Sequence, residues 1–102
     1  MGRFAQHTRL VATGGNADRL AEKFVESAEY QRANPACELM MVCRSPSDAD
    51  VVYLTEVWSS EAEWERARTS PVIDEWAREM PSLVAEPPES IRLEPVGGKG
   101  LA

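Results

Sequence analysis

The chain has 102 residues, of which 43% are hydrophobic and 27% are charged, a composition typical of one globular domain. Eleven Lys and Arg against 17 Asp and Glu give a net charge of −6. This acidity argues against a nucleic-acid partner and an anionic membrane surface, because both require a basic patch. The sequence contains no apolar run of membrane-spanning length and no signal-peptide pattern, so we expect a cytoplasmic protein.

The sequence offers few groups that bind metals. Cys37 and Cys43 are its only cysteines, and His7 is its only histidine. On one strand the two cysteines would lie roughly 20 Å apart, which is beyond the reach of a disulfide. A single histidine also leaves no zinc-ligand spacing. We therefore predict two buried free thiols and no metal site.

The first half of the chain contains three predicted strands and one helix. Residues 3–12 alternate between apolar and polar types and form the first strand. Asn16 is the predicted N-cap of a helix that runs to about residue 32, with apolar residues at helical spacing. Two further strands cover residues 37–44 and 51–58, on either side of a turn.

The second half contains helical segments and one strand. Ser60 and Glu63 form a capping box that begins the second helix, and Ser70 followed by Pro71 predicts a new helix start. Prolines from residue 81 onward end the helical region, and residues 90–96 form the last strand. A buried helical stripe is predicted at Ile73, Trp76, Ala77 and Met80.

This order of elements predicts an α+β, ferredoxin-like βαββαβ fold. Its four strands would form one antiparallel sheet, with both helical regions packed on one face. We expect a single domain over residues 1–102, with a core of about residues 4–96 and a tail of residues 97–102.

Both faces of the predicted sheet are apolar, which implies a partner. Helices cover only one face, and the other would expose large side chains of the kind that mark an interface. We therefore expect a symmetric homodimer packed sheet on sheet, the alternative being a monomer with an exposed apolar face. On the third strand, one face carries Val51, Tyr53, Thr55 and Val57, and the helix face carries Val52, Leu54, Glu56 and Trp58.

Two titratable residues stand out as candidates for proton transfer. Glu56 interrupts an apolar strand on the helix face, where burial would raise the pKa of its carboxyl group and suit it to act as a base. The alternative is a salt bridge to Arg92 or Arg9. Histidine titrates near neutral pH, but strand alternation directs His7 away from Thr8 and toward the dimer interface, which leaves catalysis as its minor alternative.

Several features together resemble the antibiotic biosynthesis monooxygenase (ABM) superfamily over roughly residues 4–96. They are the order of elements, the Trp that closes VYLTEVW, the Ser-Glu-Ala that follows it, and Ser70-Pro71 in the second helix. The resemblance implies a dimeric α/β barrel in which each subunit has a pocket between its helices and its sheet. Family members include haem-degrading enzymes and monooxygenases that convert anthrones or quinols to quinones without metal or flavin.

The resemblance also implies which residues contact a small aromatic ligand. Trp58 corresponds to the strand-ending Trp that lines the family's pocket, and Trp64 lies at a position that is aromatic in its oxygenases. Thr8 would hydrogen-bond a substrate oxygen. Leu54 and Trp76 complete the candidate binding residues. Core packing is the alternative role for Trp58 and Trp76, and a half-exposed position on the helix is the alternative for Trp64.

Three functions follow from these patterns. The first is a cofactor-independent monooxygenase for an anthrone or quinol, with Glu56 as base. The second is a non-catalytic, dimeric ligand-binding domain, which is favoured by Leu54, Ala67 and Ala77 at positions that are polar in active relatives. The third is haem degradation, which is disfavoured because Thr8 and Ala77 stand where the resemblance implies the Asn and the iron-binding His of haem-degrading members.

Overall fold

The computed structural model describes residues 2–101, and the ends of the predicted domain, Met1 and Ala102, lie outside the described residues. Its sheet has four antiparallel strands in the order β2-β3-β1-β4, which confirms the predicted ferredoxin-like fold. No helix within residues 2–101 is long and apolar enough to cross a membrane. The elements are β1 (Phe4–Val11), α1 (Ala17–Gln31), β2 (Cys37–Arg44), β3 (Val51–Trp58), α2 (Glu61–Arg68), α3 (Pro71–Ala77), α4 (Met80–Leu83) and β4 (Glu89–Leu93).

Helix α1 packs on the sheet through its apolar stripe. Leu20 and Phe24 are buried in the main core, together with Leu10, Val52 and Leu54 from the strands. These side chains form the helix-side face of the sheet because alternate residues of a strand point the same way.

The N-terminus of α1 corrects one detail of the sequence analysis. Asn16 lies at the predicted N-cap, but its side chain makes no capping hydrogen bond. Its Nδ2 instead donates to Thr13 Oγ1 at 2.6 Å, while its backbone carbonyl accepts from Leu20 N at 2.9 Å. The side-chain amide of Asn16 therefore stabilises the turn that precedes α1 and does not cap the first turn of the helix.

The second helical region is divided into the short helices α2, α3 and α4. Ser60 Oγ accepts from Glu63 N at 3.2 Å and begins α2, and Ser70 Oγ accepts from Ile73 N at 3.4 Å and begins α3. These two N-caps confirm the predicted helix starts. Pro81 does not end the region, because it lies in the first turn of α4, where a proline needs no hydrogen bond from its nitrogen.

Two predicted features are shorter or less buried than expected. Ala77 is exposed at the end of α3, so it does not belong to the buried stripe. Strand β4 ends at Leu93, opposite Ala5, rather than at residue 96. Pro95 has no N–H to donate to a ladder, which explains why pairing does not continue.

The sheet face opposite the helices is open. Strand alternation is as predicted, since the helix-side residues of β3 are buried and the pairs His7–Thr55 and Arg9–Tyr53 lie on the other side. Cys37 and Cys43 are both free and lie on β2, but Cys37 is only half-buried and Cys43 is exposed, so the prediction of buried thiols is wrong. The open face carries large apolar side chains that are 39% to 58% exposed, namely Leu39, Met41, Ile91 and Leu93.

Candidate functional site

A cavity of about 450 Å³ lies between the sheet and the helices. Its volume is within the range of roughly 300–1,000 Å³ that is usual for small-molecule sites. The cavity brings together every predicted site residue except His7, namely Thr8, Leu54, Glu56, Trp58, Trp64 and Trp76.

The floor of the cavity is set by the register of β3, β1 and β4. Glu56 lies opposite Gln6, and Gln6 lies opposite Arg92, so these three side chains form one row across the sheet. Leu54, Thr8 and Ser90 form the next row in the same way. Apart from Glu56 on β3, the polar groups therefore collect on the β1 and β4 side of the floor, whereas β2 contributes the apolar Met40.

Trp76 forms part of the roof and ties α3 to α1. Its indole Nε1 donates to the Lys23 carbonyl at 2.7 Å, and its ring meets Phe24 edge-on with centroids 5.1 Å apart. Lys23 Nζ in turn lies 3.1 Å from Glu79 Oε1, between α3 and α4. Trp76 is thus both a packing residue and a wall of the cavity, so its two predicted roles coincide.

The centre of the floor holds a buried carboxyl group. Glu56 is only 6% exposed, and its Oε1 accepts a hydrogen bond from the indole Nε1 of Trp58 at 3.0 Å. Burial raises the pKa of the Glu56 carboxyl above its ordinary value, and this effect is opposed by the Trp58 hydrogen bond and by the positive charge of Arg68. The group is therefore a carboxyl that takes up a proton more readily than an exposed one.

The alternative salt bridge of Glu56 is wrong for both predicted partners. Arg92 pairs with Glu61, with Nη1 and Oε2 2.8 Å apart. Arg9 lies near Glu86 and Glu89 on the outer side of the sheet. The Glu56 carboxyl is instead hydrogen-bonded by the indole of Trp58, which lies on the same face because side chains two residues apart on a strand point the same way.

Trp58 and Trp64 line one end of the cavity, and behind it they pack in a buried cluster with Phe4. Trp58 is 2% exposed and Trp64 is 5% exposed, so both are buried while also lining the cavity. The Trp64 and Phe4 ring centroids are 4.7 Å apart. The guanidinium groups of Arg68 and Arg92 lie 4.6 and 5.3 Å from the Trp64 ring centroid. Trp64 thus faces the interior, which contradicts the half-exposed alternative.

A polar cluster beside Thr8 was missed in the sequence analysis. Thr8 Oγ1 lies 3.0 Å from Ser90 Oγ, and Gln6 Nε2 donates to each of these oxygens at 3.5 Å. Strand alternation from Thr8 identifies Gln6 as a neighbour on the same face. Ser90 required the register of β4, which the sequence alone does not specify.

His7 lies on the opposite side of the sheet from the cavity. Its Nδ1 is 3.0 Å from Thr55 Oγ1, and its ring stacks on Tyr53 with centroids 5.4 Å apart. This position contradicts a proton-transfer role for His7 in the cavity and agrees with its predicted place on the open face.

Other reactive groups near the cavity are few. Burial, and secondarily the charge of Glu56, raise the pKa of the Cys37 thiol to about 11, so the thiolate is scarce at neutral pH. Ala67 lines the cavity with no polar group, whereas Ala77 does not line it. Within residues 2–101, no three His, Cys, Asp or Glu side chains converge as they would around a metal ion.

Comparison with known proteins places this geometry in a family. Residues 3–79 match the family model described as antibiotic biosynthesis monooxygenase. A structure from Chloroflexus aurantiacus J-10-fl, named as a candidate antibiotic biosynthesis monooxygenase, is 28% identical with a TM-score of 0.87, and the match covers 98% of this chain and 99% of that one. A comparison with curated proteins gives no significant match.

More distant structures show the same fold. A candidate antibiotic biosynthesis monooxygenase from Caulobacter crescentus CB15 is 20% identical with a TM-score of 0.86, covering 94% of this chain and 92% of that one. A structure from Pseudomonas aeruginosa is 18% identical with a TM-score of 0.84, covering 95% and 97%. Because the family model matches most of its length, the chain belongs to the antibiotic biosynthesis monooxygenase family.

Proposed function

We propose that this protein oxidises an anthrone- or quinol-type aromatic molecule with O₂, without a metal or flavin. The observation that carries the proposal is the buried Glu56 carboxyl, which lies at the centre of a cavity walled by Trp58, Trp64 and Trp76. A base with a raised pKa beside aromatic walls suits a flat, weakly acidic substrate. Family membership supports oxygen chemistry as the reaction class.

The proposed reaction needs a base and a site that excludes water. Glu56 removes one proton from the activated CH₂ of an anthrone, and the resulting carbanion passes one electron to O₂. The organic radical and superoxide combine to form a C–O bond, and the peroxide takes the proton back from Glu56. Loss of the second C–H proton breaks the O–O bond, which leaves one oxygen atom in the quinone and the other in water.

The remaining cavity residues have supporting roles in this proposal. The indole of Trp58 holds the Glu56 carboxyl in place through its hydrogen bond. Thr8, Ser90 and Gln6 present hydroxyl and amide donors on the same floor, where they would stabilise negative charge on a substrate oxygen. The aromatic walls would orient the rings and exclude solvent.

The proposal is tested by incubating the purified protein with an anthrone such as dithranol in air. We expect formation of the quinone, followed by its absorbance, to be faster than with heat-denatured protein. With isotope-labelled O₂, one labelled oxygen should enter each new carbonyl group. An unchanged rate, or a carbonyl oxygen that comes from water, would contradict the proposed reaction.

A second candidate function is ligand binding without chemistry on the same scaffold. It is favoured by the apolar Leu54 and Ala67, which line the cavity at positions where the family resemblance implies polar groups in active members. This function predicts that the protein binds anthrones and quinones but does not change the oxidation rate.

We also propose that two copies of the chain pack through their open sheet faces. The support is the exposed apolar set of Leu39, Met41, Ile91 and Leu93, which lies on one side of the sheet.

Replacing Ile91 with Glu is expected to convert this dimer to a monomer, because symmetry would bury two carboxylates, one from each copy, in an apolar interface. The dissociation constant should rise at least about 100-fold, as measured by sedimentation equilibrium. Val25→Glu is the matched control, since Val25 is also a half-exposed apolar residue but lies on α1. A wild-type protein that is monomeric at micromolar concentration would contradict the dimer.

A further inference from the structure

One arginine of the cavity forms no ion pair with any carboxylate among the residues that the structure describes. Within residues 2–101, most arginines lie within ion-pair distance of a carboxylate, and Arg92 at the cavity wall is paired with Glu61 at 2.8 Å. Arg68 and Arg78 form no such pair in this part of the chain, and of these two only Arg68 lines the cavity. A cavity guanidinium without an ion pair is notable in a chain with a net charge of −6.

The position of Arg68 suits the recognition of an anion. Its guanidinium carbon lies 4.6 Å from the centroid of the Trp64 ring, so the aromatic ring holds the side chain in place. A guanidinium held in this way keeps its N–H donors available for a second group, and its planar fork matches the two oxygens of a carboxylate. Arg68 is exposed to solvent, so it lies at the mouth of the cavity and not on its floor.

The surroundings favour a singly charged group. The other guanidinium near Trp64 belongs to Arg92, whose charge is already balanced by Glu61. Glu56 contributes a further carboxyl group to the cavity, and the charge of Arg68 acts on it, although the two groups form no ion pair. A phosphate with about two negative charges would meet one free cation in a net-negative field, whereas a carboxylate is matched by that cation.

We propose that Arg68 is an anion subsite and that the ligand of this cavity is an aromatic carboxylic acid. Its fused rings would lie along the sheet between Trp58 and Trp76, and its carboxylate would bind Arg68 at the mouth. This inference rests on the proposed use of the cavity as a ligand site, but it does not require oxidation. Nothing else at the mouth offers an unpaired cation among the residues that line it.

The test uses two ring systems that cannot be oxidised further, anthraquinone-2-carboxylate and anthraquinone-2-carboxamide. We expect the wild-type protein to bind the carboxylate about tenfold more tightly than the amide, as measured by calorimetry at low salt. High salt should reduce this preference, because the guanidinium is exposed. Arg68→Met should abolish the preference and leave binding of the amide within about twofold, and Arg68→Lys should retain part of it.

Arg66→Met is the matched control, because Arg66 lies on the same helix, pairs with Glu63 at 2.9 Å and does not line the cavity. Equal affinity for the two ligands, or no binding of either, would overturn the subsite. An equal loss for both ligands in Arg68→Met would also overturn it, because Arg68 would then only pack on Trp64. Carboxylate preference without oxidation of any anthrone would retain the subsite and reject the monooxygenase. Oxidation of a neutral anthrone without a preference for the carboxylate would retain the monooxygenase and reject the subsite.

Discussion

Replacing Glu56 with Gln is expected to slow oxidation of the anthrone by about 10²–10⁴-fold, the usual contribution of a general base. Gln has nearly the same shape, and its Oε1 can still accept the hydrogen bond that Trp58 Nε1 donates at 3.0 Å. It cannot, however, accept a proton from the substrate. Glu65→Gln is the matched control, because Glu65 is an exposed residue of α2 outside the cavity. A rate close to the wild-type rate in Glu56→Gln would exclude Glu56 as the base.

The pH dependence of the same reaction provides a second measurement. Burial raises the pKa of Glu56, so the carboxylate form that acts as base becomes populated only above this raised value. The wild-type rate should therefore rise with pH through an inflection above the ordinary glutamate pKa of about 4.3. The residual rate of Glu56→Gln should lack this inflection. An identical acid limb in both proteins would assign the titration to another group.

The raised pKa of Glu56 also predicts how stability depends on pH. Because the folded-state pKa lies above the unfolded-state pKa, the folded protein binds the proton more tightly. The resulting stabilisation is fully present below the unfolded-state pKa and is lost as pH rises through the folded-state pKa. Glu56→Gln removes this loss, so its free energy of unfolding should exceed that of the wild type at neutral pH. Near pH 4, close to the unfolded-state glutamate pKa of about 4.3, the wild type and Glu56→Gln should differ less in their free energies of unfolding. Urea denaturation at the two pH values measures both differences.

The sequence predicts this site well wherever strand alternation alone decides a position. Leu54, Glu56 and Trp58 lie two residues apart on one strand, so their common face follows from the period of two. The same periodicity directs His7 to the opposite face, as the structure confirms. The sheet face that such a residue occupies can be predicted from its own strand alone, without the rest of the fold.

The partner of Glu56 was not predictable by charge alone. An arginine is the expected neighbour of a buried carboxylate, yet Arg92 lies two strands away from Glu56, with Gln6 between them. Adjacent strands are about 4.8 Å apart, so the backbones of Glu56 and Arg92, which are separated by one intervening strand, lie roughly 10 Å apart. The indole of Trp58 is closer, but its direction depends on a side-chain rotamer that the sequence does not encode locally.

Other features depended on long-range pairing. Ser90 joins Thr8 only because β4 pairs with β1 in one register, and this register links residues 82 positions apart. The lack of an ion pair at Arg68 likewise depends on which carboxylates the other arginines contact, and those contacts join distant parts of the chain. Sequence patterns identified the faces of the sheet, whereas the contacts between distant elements determined which groups meet in the cavity.

Replacing Trp58 with Phe is expected to reduce the free energy of unfolding by about 1–3 kcal/mol, the cost of a buried acceptor without its donor. Phe fills much of the same space, but it has no N–H for Glu56 Oε1. Both groups are buried, so water replaces the lost donor poorly. Urea denaturation at neutral pH measures this change. A stability equal to that of the wild type would show that the hydrogen bond contributes nothing to folding.

The same substitution should raise the pKa of Glu56 further, because the Trp58 hydrogen bond opposes the effect of burial. The acid limb of the pH–rate profile should therefore move to higher pH, and titration of isotope-labelled glutamate by NMR should show the same shift without relying on activity. Trp76→Phe is the matched control, since its indole also donates one hydrogen bond and lines the cavity, but its acceptor is the Lys23 carbonyl. A shift of similar size in Trp76→Phe would attribute the change to general loosening of the cavity. A shift confined to Trp58→Phe would establish that a tryptophan sets the proton affinity of the proposed base.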